Sequence, residues 1–203
     1  MNNYVESTNL SAVQFSLESA KTMEDACSHI IDNDVGIINF TYCRTFNNGT
    51  RLYLCDHSEW IKHYINNSLH EDIAHCEFYT PGNDLKYTLW TGFKEDKVFS
   101  AGRDFCNWWY DLIIYERNQN YIDYFNFISH TDNPQIINYY LNNLDKLKQK
   151  VQIFKEKASD LIDPTDKRKL IVSKHWKSFD KLPKNPLFDP HKTADFINKT
   201  KIL

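Results

Sequence analysis

Apolar residues in the N-terminal part of the chain recur at the spacing of an α-helix. With one small slip, the positions on a single helical face are Val13, Leu17, Ala20, Met23, Ala26, Ile30 and Ile31. A stripe of this width predicts an amphipathic helix. Asn9 or Ser11 suits its N-terminal cap, and Asp32-Asn33-Asp34 followed by Gly36 indicates where it ends.

The pattern then changes to short runs of β-branched and aromatic residues, which predict two hairpins. Residues 37–46 and 51–55 flank Asn47-Asn48-Gly49-Thr50, and Asn and Gly tolerate the positive φ angles of a tight turn. Residues 112–115 and 121–128 flank a second turn at 118–120. Each hairpin needs a neighbour to be stable in water, so we expect the two to join in one antiparallel sheet.

A short helix follows the first hairpin. Asp56 or Ser58 is placed to cap it, and Trp60, Tyr64 and Ile65 are its apolar residues. The chain between the two hairpins is otherwise hard to interpret, and we expect only an extended piece at 87–90 and a helix at 98–109.

The C-terminal part opens with a long amphipathic pattern. Pro134 suits a first helical position, and Asp163-Pro164 ends the helix. The apolar stripe between them is Ile137, Tyr140, Leu141, Leu144, Leu147, Val151, Phe154, Ala158, Leu161 and Ile162. Residues 165–203 lose this periodicity, and apart from a short strand at 170–172 we expect a partly ordered tail.

This order of elements predicts an α+β fold in which an antiparallel sheet is flanked by helices, an α-β-α sandwich of the PAS or GAF kind. We expect one domain over residues 1–164 and a tail over 165–203. Such sandwiches commonly hold a small ligand between the sheet and its covering helices. The aromatic content of 15% fits a lined cavity or an aromatic core equally well.

Charge and composition narrow the classes of partner. The 203 residues carry a formal charge of −3, which does not favour nucleic acid, and no apolar run is long enough to span a membrane. No secretory leader is recognisable. Five cysteines without a CxxC pair indicate reduced thiols, so we expect a cytoplasmic protein.

The stretch 40–162 resembles the autoinducer-binding domain of LuxR-type quorum-sensing regulators of bacteria. Trp60 and Tyr64 form a W-x-x-x-Y pattern on the first helix after a hairpin, Asp72 follows eight residues later, and Trp90 lies near the family's next tryptophan. The stretches 111–115, 124–127 and 136–141 look like the family's last strands and final helix.

The resemblance implies a ligand such as an acyl-homoserine lactone, whose buried head needs two donors and one acceptor. By resemblance, Trp60 donates to the lactone carbonyl, Tyr64 donates to the acyl carbonyl, Asp72 accepts from the amide, and Trp90 packs on the ring. Further candidate contacts to the tail are Tyr53, Phe105, Tyr115 and Phe127. Two alternatives stay open: Trp60 and Tyr64 as an ordinary core stripe, and Asp72 as a capping or surface carboxylate.

The sequence also departs from the family pattern. Ile73 stands where the family usually has Pro, Asp111 stands where a Gly is common, and the spacing from Asp72 to Trp90 is long. Residues 165–203 are too few for the family's helix-turn-helix module, so we expect no direct DNA binding. The identity of the ligand is therefore open, and we expect a small amphipathic signal molecule.

Other chemistry receives little support. His70 and His75 are five residues apart and therefore do not share one face of a helix, so we expect no metal site. No cofactor motif is recognisable. We expect no enzyme. The leading hypothesis is a signal-binding domain without its DNA-binding half. One alternative is a protein that pairs with full-length LuxR-type regulators and modulates them. Another is an effector or enzyme that reuses the fold. As protein partners we expect either a second copy of this chain, in a homodimer, or a LuxR-type regulator, in a heterodimer.

Overall fold

The computed structural model describes residues 2–71, 86–89 and 97–173, and it describes the side chains of 9–71, 87–89 and 97–173. Asp72 and Trp90 of the predicted site therefore lie outside the described residues, and so does the chain after residue 173.

Six strands of the described part of the chain form one sheet, in which the two hairpins join as the sequence predicts. They are β1 (Asn39–Phe46), β2 (Thr50–Cys55), β3 (Lys86–Leu89), β4 (Trp108–Arg117), β5 (Tyr121–His130) and β6 (Leu170–Val172). The order is β3-β4-β5-β1-β2-β6, and every neighbouring pair is antiparallel. The two predicted hairpins lie side by side because β1 pairs with β5 over eight residues, from Asn39 opposite Ile128 to Phe46 opposite Tyr121.

Helices cover both faces of the sheet, so the α-β-α sandwich is confirmed. They are α1 (Asn2–Glu18), α2 (Ala20–Cys27), α3 (Ser58–Asn66), α4 (Lys97–Cys106), α5 (Ile136–Asn142), α6 (Leu144–Lys157) and α7 (Ser159–Ile162). Helices α2, α5, α6 and α7 pack on one face, and α3 and α4 pack on the other.

Strand alternation divides the interior into two cores. On β4, Leu112 and Ile114 enter the core beneath α6, whereas Ile113 enters the core beneath α3 and α4. On β5, Phe125 and Phe127 enter the α6 core. Burying both faces explains why this strand carries an almost continuous apolar run rather than an alternating one.

A buried ion pair joins β1, β5 and the end of α7. Nε and Nη2 of Arg44 donate to the two carboxylate oxygens of Asp123 at 2.7 and 2.8 Å, and Nη1 donates to the carbonyl of Ile162. The hydroxyl of Tyr42 donates to the same carboxylate at 2.8 Å. This bidentate geometry with additional hydrogen bonds is what a charge needs in order to be tolerated in the interior.

The N-terminal helix differs from its prediction. It begins at Asn2, so neither Asn9 nor Ser11 caps it, and it is separate from α2. Asn9 is buried, and its side-chain amide exchanges two hydrogen bonds with the backbone of Val172 on β6. The amide thus makes the pair of hydrogen bonds that a neighbouring strand would make, and it fixes α1 to the edge of the sheet.

Two other helix boundaries were predicted wrongly. Helix α4 ends at Cys106 because Asn107 has a φ of +57°, and Trp108 and Trp109 already belong to β4. The single long helix expected over 134–162 is three helices, which are interrupted at Asn143 and Ala158, where the backbone leaves helical angles.

The short strand expected at 170–172 is present, and it extends the sheet beyond the predicted domain boundary at 164. Leu170 lies opposite Leu52, and Ile171 is buried opposite Arg51. The division into a domain and a tail stays a prediction, but the sheet itself includes residues up to Val172.

Candidate functional site

A small cavity lies between the sheet and helices α3 and α4. Its volume is about 30 Å³. Its walls come from β1, β2, β4 and β5 on one side and from the two helices on the other, and the lining residues are Thr41, Tyr53, Trp60, Val98, Phe99, Gly102, Trp108, Asp111, Asn126 and Ile128. A space of this size accommodates a group about as large as a water molecule.

Trp60 is held in the cavity wall by the start of α3. The cap of this helix is His57, whose Nδ1 accepts from the backbone N–H of Trp60 at 3.1 Å, and not Asp56 or Ser58 as predicted. The carboxylate of Asp56 is engaged elsewhere, since it accepts from the backbone N–H of Phe40.

The indole of Trp60 already has a hydrogen-bond partner. Its Nε1–H donates to the hydroxyl of Tyr53 at 2.6 Å, and the Tyr53 ring stacks on Tyr64 with centroids 4.4 Å apart. All three side chains are buried. A ligand carbonyl that accepts from Trp60 would therefore have to displace the Tyr53 hydroxyl.

Three polar side chains lie on the sheet side of the cavity. Nδ2 of Asn126 donates to the Thr41 hydroxyl at 2.7 Å. Asp111 is 6% exposed, and within the described part of the chain its Oδ1 has no hydrogen-bond partner. Burial raises the pKa of the Asp111 carboxyl well above its usual range, because nothing described here offsets the loss of solvation.

Helix α4 forms the opposite wall and comes close to the sheet at Gly102. A Cβ atom at this glycine would be 3.5 Å from Cε3 of Trp108 and 3.9 Å from Cη2 of Trp60, both in ordinary contact. The glycine thus leaves room beside two indole rings whose centroids are 4.9 Å apart.

The cavity is connected to a second, partly buried carboxyl. Nε1 of Trp108 donates to Oδ1 of Asn39 at 3.1 Å, and Nδ2 of Asn39 donates to Asp56 at 3.1 Å. Loss of solvation raises the pKa of Asp56 to about 6, even though the hydrogen bond from Asn39 favours the ionised form. A chain of two hydrogen bonds thus joins the Trp108 indole to this carboxyl.

Comparisons with known proteins give limited similarity. The sequence matches no protein-family model and no curated protein. Among solved structures, it is similar to the N-acylhomoserine-lactone-dependent LuxR-family transcription factor CepR2 from Burkholderia cenocepacia, with a TM-score of 0.45 and 11% identity over 77% of this chain and 96% of that one. CepR2 is a member of the family that the sequence resembles.

A second solved structure is SdiA in complex with octanoyl-rac-glycerol. Its TM-score is 0.46 and its identity is 10%, over 98% of this chain and 78% of that chain. Similarities of this size carry no argument about the ligand or the activity of this chain.

The structure brings together only some of the residues predicted for the site. Trp60 and Tyr53 line the cavity, and Tyr64 packs directly behind Tyr53. Tyr115 lies beside the α3–α4 core, but it does not line the cavity. Phe105 is 48% exposed and stacks on His63 at the outer surface.

Phe127 lies on the opposite face of the sheet. It is fully buried in the core beneath α6, in edge contact with Phe40. Of the lining residues that the sequence did not single out as site residues, Asp111 had the clearest signal, because it is an acidic residue directly before an apolar strand. Among the described residues, no helix combines the length and apolar character needed to cross a membrane.

Proposed function

We propose that this chain is a binding module for a small amphipathic molecule, whose polar head enters the cavity between the sheet and helices α3 and α4. The observation that carries this proposal is an aromatic-walled cavity with a buried carboxyl, that of Asp111, whose Oδ1 has no hydrogen-bond partner among the described residues. Native proteins rarely leave such groups unsatisfied, and where they do, a ligand or an ordered water commonly supplies the missing partner.

A binding role is favoured over catalysis by the composition of the cavity wall. Among the described lining residues there is no cysteine, histidine or lysine, and the hydroxyl of Thr41 accepts a hydrogen bond from Asn126, which is not a base. Burial raises the pKa of the nearby Cys55 thiol well above its usual range and that of Cys106 to about 11, which keeps both thiols protonated.

Acyl-homoserine lactones are the first ligand class to test, because Trp60 and Tyr64 match the family pattern that the sequence resembles. Tyr53 and Trp60 would supply a hydroxyl and an indole N–H after their mutual hydrogen bond opens. Asp72 and Trp90 remain predicted contacts. Because the present volume is about 30 Å³, an acyl chain enters only if the walls separate.

Pairing with a full-length regulator has weaker support. Among the described residues of α5, α6 and α7, Ile153 is the large apolar side chain that is exposed. A single side chain does not provide the continuous apolar patch that a stable association needs.

The experiment that tests the proposal is a thermal-stability titration with acyl-homoserine lactones of several chain lengths and with simple amphiphiles of similar size. Binding to the folded state raises the melting temperature, and the rise grows with the logarithm of the ligand concentration relative to Kd. Native mass spectrometry of protein purified from a signal-producing strain identifies a bound molecule directly.

Two alanine substitutions on α4 give a matched pair. Gly102→Ala takes volume from the cavity and is expected to reduce the ligand-induced shift. Asp104→Ala changes an exposed position on the same helix and is expected to retain it. Equal behaviour of the two variants, or the absence of a shift with every compound, would contradict the proposal.

A further inference from the structure

The carboxyl of Asp111 has no cationic side chain beside it in the described wall of the cavity. The lining residues of the cavity described here include no lysine, arginine or histidine, and no described group forms a hydrogen bond with Oδ1 of Asp111. Buried ionisable groups in proteins are normally paired, because an unpaired charge loses its hydration without compensation. A group that enters the cavity with a positive charge would supply this pairing.

Aromatic rings surround the same space. Trp60 and Trp108 stand with their ring centroids 4.9 Å apart and their planes inclined at 56°, and Tyr53 and Phe99 complete the wall. The faces of aromatic rings carry negative potential and attract cations, with tryptophan the most effective. An acidic group enclosed by aromatic faces therefore favours a cation over an anion of the same size.

The volume restricts the kind of cation. About 30 Å³ suits a group as large as one water molecule, such as the –NH₃⁺ of a primary amine. A quaternary ammonium group carries three further carbon substituents and does not fit this space. The three N–H donors of a primary ammonium also match the oxygen atoms that Asp111 and Thr41 present on the sheet side.

We propose that the cavity binds the primary ammonium head of a small amphipathic amine, with Asp111 as its counter-ion and the Trp60 and Trp108 rings as its walls. This inference rests on the proposed function and adds the charge of the ligand to it. Asp111 is then the residue that determines specificity for the head group, at a position where the sequence departs from the pattern of the family it resembles.

The test compares three six-carbon compounds that differ only in the head: hexylamine, 1-hexanol and hexanoate. Isothermal titration calorimetry on the unaltered protein is expected to give hexylamine an affinity about 10-fold or more above that of hexanol. Hexanoate is expected not to bind, since the described wall of the cavity offers no cationic side chain to pair with its carboxylate.

Two variants locate the effect. Asp111→Asn keeps the shape but removes the charge, and it is expected to lower the hexylamine affinity by about 10-fold or more while hexanol changes by less than about 3-fold. Asp104→Asn removes an exposed carboxylate of α4, and it is expected to leave both affinities unchanged. If Asp111→Asn does not fold, the three-compound series on the unaltered protein decides alone.

Equal affinity for hexylamine and hexanol, or hexylamine binding that survives Asp111→Asn, would overturn the inference. If hexanol or an acyl-homoserine lactone binds and hexylamine does not, the inference fails while the proposed function stands. If none of these compounds binds, both fail.

Discussion

Replacing Gly102 by alanine is expected to stabilise the protein. The residue lies inside α4, where glycine costs up to about 1 kcal/mol relative to alanine because of its backbone freedom. The new methyl group would pack on Trp108 and Trp60 at ordinary contact distances, and its burial adds about 0.8 kcal/mol. Together these effects give an increase of about 1–2 kcal/mol in the free energy of unfolding.

Equilibrium unfolding in urea measures this change as a higher midpoint at constant slope. In a thermal scan, a chain of this size gains about 2–4 °C per kcal/mol. The control is Gly36→Ala: Gly36 has a φ of +96°, and a Cβ there would overlap Nδ2 of Asn133, so the same chemical change destabilises. The reasoning is refuted if Gly102→Ala lowers the midpoint, because the space beside the two indoles would then not exist.

The same substitution is expected to weaken ligand binding, since it takes volume from the cavity. Retaining a glycine in the middle of a helix is then a cost in stability that keeps the site open, a trade that is common at functional sites. If Gly102→Ala were more stable and bound the ligand with unchanged affinity, Gly102 would not be part of the binding site.

Three further changes have expected outcomes, all measured by urea unfolding. Tyr53→Phe leaves the buried indole N–H of Trp60 without its acceptor, so a loss of about 1–3 kcal/mol is expected. Because the pKa of Asp56 is raised to about 6 in the folded protein, the folded state binds the proton more tightly than the unfolded state, and stability falls by about 3 kcal/mol in total as the pH rises from about 3 to 7; Asp56→Asn removes this part of the slope. Arg44→Met leaves Asp123 buried and unpaired, with an expected loss of about 3–5 kcal/mol.

Each of these has a control and a contrary outcome. Tyr139→Phe, at a partly exposed tyrosine, is expected to be nearly neutral, and an equal loss there would remove the argument for Tyr53. An unchanged pH slope in Asp56→Asn would assign the titration to another group, Asp111 being the first to examine. Adding Asp123→Leu to Arg44→Met is expected to recover part of the loss, and no recovery would mean that packing and not charge is lost.

The local pattern was sufficient for the hairpins and for α3. The Asn-Asn-Gly turn gives positive φ at Gly49, and β1 and β2 end within two residues of their predicted limits. The position of Trp60 and Tyr64 on one helix also followed from their spacing. These features depend on neighbours in sequence, which is why a sequence alone can reveal them.

The features that failed depend on distant contacts or on one backbone angle. The prediction of Asn9 as a cap fails because its partner, Val172, is remote in sequence. His57 caps α3 because Asp56 is bound to β1. The prediction for Phe127 rests on residue type alone, but the face to which a strand residue points depends on register, and a shift of one residue reverses it.

Asp111 illustrates the same limit for the site. Its acidity is visible in the sequence, but its burial without a hydrogen-bond partner for Oδ1 among the described residues follows only when the sheet and two helices enclose it. The sequence therefore located the wall of the cavity through Trp60 and Tyr53 more readily than its most informative polar group.

The two hydrogen bonds between Asn9 and Val172 join residues that are 163 positions apart in the chain. A ribosome delivers the N-terminus first, so α1 emerges long before the strand that secures it. Throughout that interval the outer edge of β2 has no neighbour and is open to strands of other nascent chains. This edge stays uncovered until residues 170–172 are made, and a holding chaperone would protect it until β6 arrives.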